Sequence, residues 1–150
     1  MQNFSFDLSK NFYYIVDTSY IAFCSAFSAF NDYVYYNDIE KSQMTPELDP
    51  TLDPEFNEIL KEKFAYQVTN PVKKFLPFLY DESKFIFSLD CERKNIWRRS
   101  FFPEYKLNRD LKDKSKDKFN VGKVFRYIYE NILPNFCEMT RLYLHKLRVC

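Results

Sequence analysis

Apolar residues fall into two short unbroken runs and several stretches of helical spacing. The first run, Phe12-Tyr13-Tyr14-Ile15-Val16, closes on Asp17; the second, within Lys84-Phe85-Ile86-Phe87-Ser88-Leu89, closes on Asp90. Continuous runs of this kind predict strands buried on both faces of a parallel sheet. Thr18-Ser19 is expected to cap a helix that starts at Tyr20 and runs toward Tyr36. Residues 37–54, with Pro46, Pro50 and Pro54 among polar neighbours, read as a loop. Helical spacing returns at Phe56, Ile59, Leu60 and Phe64. Pro71 is expected to bend or split that helix, with Val72, Phe75, Leu76 and Leu79 continuing its apolar face. Residues 119–139 read as helix, with Val121, Val124, Phe125, Ile128, Ile132 and Leu133 on one side. Residues 142–149 read as a third, more alternating strand.

The resulting order is strand, two helices, strand, polar segment, helix, strand. It predicts an α/β fold with a mainly parallel central sheet flanked by helices. A length of 150 residues suits one domain. The single glycine, Gly122, excludes a glycine-built phosphate cradle. Four cysteines without a CxxC pair and one histidine, His145, argue against structural zinc and for free thiols in a reducing compartment. Cys24 and Cys137 are expected to be core thiols, and His145 a packed residue. Cys91 comes directly after a strand end and nothing demands a role for it. No targeting or membrane-spanning run is visible, so a soluble intracellular protein is expected. The wealth of Lys, Asn, Phe, Tyr and Ile suggests an AT-rich genome, such as a viral one.

The strand ends carry the candidate chemistry. Ligands of open α/β sheets bind outside the carboxyl ends of the strands. Neighbouring parallel strands would bring Asp17 and Asp90 to one edge, where two hard anionic oxygens suit Mg²⁺ or Mn²⁺. Either acid alone is better read as a helix cap. The two together, with a basic segment directly after Asp90, favour a metal site for phosphodiester cleavage.

Charge is unevenly distributed. Arg93 to Lys123 holds eleven Lys/Arg against four Asp/Glu, a net of +7, while the rest of the chain carries a net of −6. A basic stretch beside an acidic edge fits a bound polyanion, and Trp97, Phe101, Phe102 and Tyr105 offer faces for unpaired bases. The alternating Lys112-Asp113-Lys114-Ser115-Lys116-Asp117-Lys118 reads equally well as a solvated, salt-bridged helix. Trp97-Arg98-Arg99 does not, because neither arginine has an acidic partner at i±4.

The ordered set Asp90, Trp97-Arg98-Arg99 and Tyr105-Lys106-x-Asn108-Arg109 resembles the second acidic motif and helical arch of the 5′-nuclease family. That family comprises flap endonucleases, phage ribonuclease H and the 5′-exonuclease of bacterial DNA polymerase I; the phage ribonuclease H spacing is the most similar. Ile15-Val16-Asp17-Thr18-Ser19-Tyr20 is similar to the family's first acidic motif. The resemblance implies an incomplete PIN-like core occupying residues 1–150, the N-terminal part of the domain, with residues 93–118 as the basic arch. It implies Asp17 and Asp90 as metal ligands for Mg²⁺ or Mn²⁺ and Lys106 on the scissile phosphate. Arg98 or Arg99 would steady that phosphate, with Arg98 preferred. Arg93, Trp97, Tyr105, Arg109 and Lys112 would contact the nucleic acid. The implied activity is 5′–3′ exonuclease or flap endonuclease cleavage in replication and repair. DNA is the implied partner, as branched or single-stranded 5′ ends, with RNA–DNA hybrid as a further substrate; no membrane is involved.

One departure counts against a complete enzyme. The family continues after its third strand into further acidic motifs, and this sequence stops at Cys150. The expectation is therefore a chain whose metal site is completed by a C-terminal half or a second chain. The alternative is a non-catalytic, nucleic-acid-binding fragment or degenerate relative. Asp7, Asp32, Asp49, Asp53 and Glu130 stand in contexts unsuited to metal binding.

Overall fold

The computed structural model describes residues 12–75, 83–90, 98–104, 117–139 and 147–149. Residues 12, 13, 75, 83, 84, 90, 98, 99, 137–139 and 147–149 are described by their backbone alone. The fold is mixed α/β and mostly helical. β1 (Phe12–Asp17), β2 (Ser83–Asp90) and β3 (Leu147–Val149) form a parallel sheet in the order β1-β2-β3. α1 (Thr18–Tyr36) and α2 (Pro54–Phe75) lie between β1 and β2. After β2 come a short α3 (Arg98–Phe101), then α4 (Val121–Tyr127) and α5 (Leu133–Met139), the last two joined by a π-helical turn at Ile128–Ile132. Of the stretch expected as the third strand, Leu147–Val149 is strand and residues 142–146 lie outside the described residues. So do Leu76 and Leu79 of the expected second helix.

The pleat of the strands sorts core from surface. Tyr14 pairs with Phe85 and Val16 with Phe87, and this parity meets the helices. Phe87 is fully buried and packs its ring against Phe64 of α2 and Phe136 of α5. Tyr14 stacks on Phe85 at 5.5 Å. The opposite parity behaves differently on the two strands. Ile86, on central β2, is buried, whereas its partner Ile15, on edge strand β1, is 73% exposed. The expectation that both strands are covered on both faces therefore holds for β2 and fails for β1, whose position at the edge leaves its outer face uncovered.

α1 presents Ala22, Ser25, Ala26, Ala29 and Phe30 as one buried stripe. Its small residues let α2 approach closely, and α2 answers with Phe56, Leu60, Phe64, Val68 and Val72 at helical spacing. The Ser25 hydroxyl is satisfied within its own helix, donating to the Ile21 carbonyl at 2.7 Å. α1 ends where Asp38 takes φ of 49°, the left-handed geometry that short polar residues tolerate after a helix.

Two expectations from the sequence are corrected. The N-cap of α1 is Asp17, whose carboxylate accepts the Tyr20 N–H at 3.0 Å; Thr18 is already helical and fully buried. Of the bend or split expected at Pro71, the split does not occur, since α2 runs through it to Phe75. Pro71 is exposed and stands one turn from the helix end, so the hydrogen bond its ring removes is lost on the solvent side. At the other end Pro54 occupies the first turn, where a missing N–H costs nothing. Asp53 caps it by accepting the Glu55 N–H at 2.9 Å.

Residues 37–54 are more than a loop. They contain 3-10 turns at Lys41–Gln43 and Pro50–Leu52. Met44 and Leu48 pack against the core, and the Leu48 carbonyl accepts the Asn120 N–H at 2.6 Å. Asp49 accepts from the Thr51 amide and hydroxyl and faces Lys123 at 3.6 Å. The segment braces the start of α4.

Candidate functional site

The parallel pairing of β1 and β2 decides where the two strand-end acids stand. Asp17 is in register with Ser88, and Asp90 lies two positions further along β2, in register with Val149 of β3. Asp17, Ser88 and Asp90 thus share one parity at the carboxyl edge. Strand geometry puts the Asp17 and Asp90 Cα atoms roughly 8 Å apart, from a spacing of about 4.8 Å between strands and about 3.3 Å per residue along them. The Ser88 hydroxyl donates to the Val16 carbonyl at 2.9 Å, pinning the ends of the two strands together.

Asp17 is exposed. One carboxylate oxygen caps the 19-residue helix α1 by accepting the Tyr20 N–H. The capping reading of a strand-end acid is therefore realised at Asp17, through one of its two carboxylate oxygens. Among the described residues no group of three or more His, Cys, Asp or Glu side chains is close enough to hold a metal ion. The other acids are engaged elsewhere: Asp32 pairs with Lys63, Asp49 serves the Pro50–Leu52 turn, and Asp53 accepts the Tyr33 hydroxyl at 2.6 Å.

Beside the two strand ends opens a cleft of about 400 Å³. Its described lining is Ser19 from the first turn of α1, Leu89 from the end of β2, Phe125 from α4 and Tyr129 from the π-helical turn. Ser19 and Tyr129 share a hydrogen bond of 3.1 Å between their hydroxyls. This contact spans 110 positions of sequence, and no local pattern announces it. The residues that sequence reasoning missed are these four. The one signal available was the position of Ser19 and Leu89 next to the predicted strand ends.

Exposed aromatics flank the same edge. Tyr20 and Phe23, on the first turns of α1, are 64% and 50% exposed. A hydrogen bond with Cys24 pushes the Tyr20 phenol above its ordinary value. Cys24 is a half-buried free thiol outside the buried cluster, so the expectation of a core thiol is only half met; the Cys137 side chain lies outside the described ones.

Most of the expected arch is not placed. Arg93, Trp97, Tyr105, Lys106, Arg109 and Lys112 lie outside the described residues, as do Cys91 and His145. Arg98 and Arg99 open α3, described there by backbone alone. Phe101 and Phe102 are strongly exposed just after them. The structure thus brings Asp17 and Asp90 to one sheet edge and leaves the arch cations unassigned. No helix among the described residues is long and apolar enough to cross a membrane. In comparisons with known proteins the chain matches no family model, no curated protein and no solved structure.

Proposed function

We propose that the chain is the N-terminal part of a metal-dependent 5′-nuclease with a PIN-like core, acting on DNA flaps, 5′ ends or RNA–DNA hybrids. The observation that supports this most is the β1–β2 register, which sets Asp17 and Asp90 two positions apart at the carboxyl edge of a parallel sheet. A segment of net charge +7 comes directly after it in sequence, suited to a phosphate backbone laid along that edge.

Asp17 and Asp90 would hold Mg²⁺ or Mn²⁺, Asp17 through the oxygen that capping does not require. A divalent cation there supplies charge neutralisation of the phosphodiester and a lowered pKa for an attacking water. Lys106 and Arg98 or Arg99 stabilise charge on the phosphate; Arg93, Trp97, Tyr105, Arg109 and Lys112 bind the strand. The remaining ligands come from a C-terminal half or a second chain.

The deciding experiment is cleavage of a 5′-labelled flap with Mg²⁺ or Mn²⁺, comparing the wild type with Asp90→Asn. Loss of cleavage in the variant with DNA binding intact is the expected result. A second reading, a nucleic-acid-binding protein without catalysis, is favoured by the commitment of Asp17 to its capping bond and by the lack of a third acid among the described residues. Binding without cleavage by the wild type selects it. Equal cleavage by wild type and Asp90→Asn removes the metal assignment.

A further inference from the structure

The cleft beside the strand ends has a chemistry distinct from that of the acids. No charged side chain is among its described lining, which consists of the Phe125 and Tyr129 rings, the Leu89 side chain and the Ser19 hydroxyl. It offers apolar walls and one polar point, where the two hydroxyls meet at 3.1 Å. A hydroxyl both donates and accepts, so this pair can meet the mixed donor and acceptor edge of a heteroaromatic ring. Tyr129 stands in a π-helical turn, a local widening that helices often carry at binding sites. The volume of about 400 Å³ falls within the range of small-ligand clefts and exceeds what one ring needs.

Placement supplies the rest. Ser19 is two residues past Asp17, and Leu89 immediately precedes Asp90. Leu89 has the parity of Phe85 and Phe87, the helix-covered side, while Asp17 and Asp90 have the other. The cleft therefore lies on the helix-covered side of the edge, and Asp17 and Asp90 occupy register positions of the other parity. A nucleotide straddling that edge would have its ring and its phosphate on different sides of it.

The geometry points to this cleft as a seat for one unpaired nucleobase of a bound strand, with the Ser19 and Tyr129 hydroxyls at its polar edge. The inference rests on the nucleic-acid reading above and adds to it a base subsite outside residues 93–118.

The test is a binding scan with single-stranded 5′ oligonucleotides in which each base in turn is replaced by an abasic residue. In the wild type one position should weaken binding roughly tenfold when its base is removed, the scale of one stacked base. In Tyr129→Phe and Ser19→Ala that penalty should shrink at the same position while the others are unchanged. Phe125→Leu, which keeps the apolar volume without the ring, should also reduce it, and thermal unfolding of each variant checks the fold. Binding with no such position, or with a penalty the variants leave intact, overturns the base subsite and leaves the nucleic-acid reading standing. No binding to any oligonucleotide, by wild type or variants, overturns both.

Discussion

Phe119 lies flat against Phe30, ring centroids 4.2 Å apart and planes inclined by 25°. Phe119 belongs to the basic stretch of sequence between Arg93 and Lys123. Ten residues later Tyr129 meets Ser19. Between these contacts α1 recedes by eleven residues and the α4 segment advances by ten, about 15 Å in each helix. The two helices therefore run antiparallel. Both rings of the Phe30–Phe119 pair are fully buried. Phe119→Ala is expected to cost about 3–5 kcal/mol, read from the midpoint of denaturant unfolding. A cost below about 1 kcal/mol would show that the pair does not anchor α4.

The capping bond of Asp17 and its proposed metal role can be separated by choice of substitution. Asn is as good an N-cap as Asp, and Ala is not. Asp17→Asn should leave thermal stability nearly unchanged, while Asp17→Ala should lose about 1 kcal/mol. Both should abolish metal-dependent cleavage of a 5′ flap. If Asp17→Asn cleaves as well as wild type, Asp17 is a cap alone.

Asn120 and Lys123 test what secures the start of α4. The Asn120 side chain caps the helix through the Lys123 N–H at 3.1 Å. The Lys123 ammonium faces Asp49 at 3.6 Å and is more than half exposed. Exposed ion pairs contribute little, so Lys123→Ala should change stability by less than about 0.5 kcal/mol, and Asn120→Ala by about 1 kcal/mol. Urea titrations of the two variants side by side would reveal a reversed order, which would make the ion pair the principal anchor.

Tyr33 and Asp53 make stability depend on pH at both extremes. Burial, and then the hydrogen bond to Asp53, push the Tyr33 phenol from 10.0 up to about 12. The fold favours the neutral phenol, so its contribution is complete below pH 10 and is lost as pH rises toward about 12. The same hydrogen bond, with the Glu55 N–H, holds the Asp53 carboxyl below its ordinary value. That contribution is present above the ordinary carboxylate range and is lost as pH falls through the lowered value. Tyr33→Phe should flatten the alkaline limb of a stability profile and weaken the acid one. An unchanged alkaline limb would assign that limb to other groups.

How far the sequence reveals this fold depends on the kind of signal. β1, β2 and the acids that end them are legible because each apolar run is long enough for a strand and stops at a charge. The faces of β1 are not legible: Phe12-Tyr13-Tyr14-Ile15-Val16 has no alternation, and only the pairing shows that Ile15 faces outward. Asp17, Thr18 and Ser19 are all good caps in a row, so composition cannot choose among them, and the Tyr20 hydrogen bond does. The bracing of α4 by Leu48 and Asp49 joins residues more than 70 positions apart, beyond any periodic pattern. The same holds for the cleft, where Ser19 and Leu89 stand near marked positions and Phe125 and Tyr129 do not.

The π-helical turn at Ile128–Ile132 sets a rotational phase. A helix turns about 100° per residue, so one wide turn offsets everything after it by that angle. Phe136, which meets both Phe64 and Phe87 from α5, owes its direction to that offset. Deleting a single residue between Ile128 and Ile132 would leave a sequence that still forms helix readily. It would also swing Phe136 out of its contacts, so that a change invisible to helix propensity unlocks the side of the sheet on which the core is built.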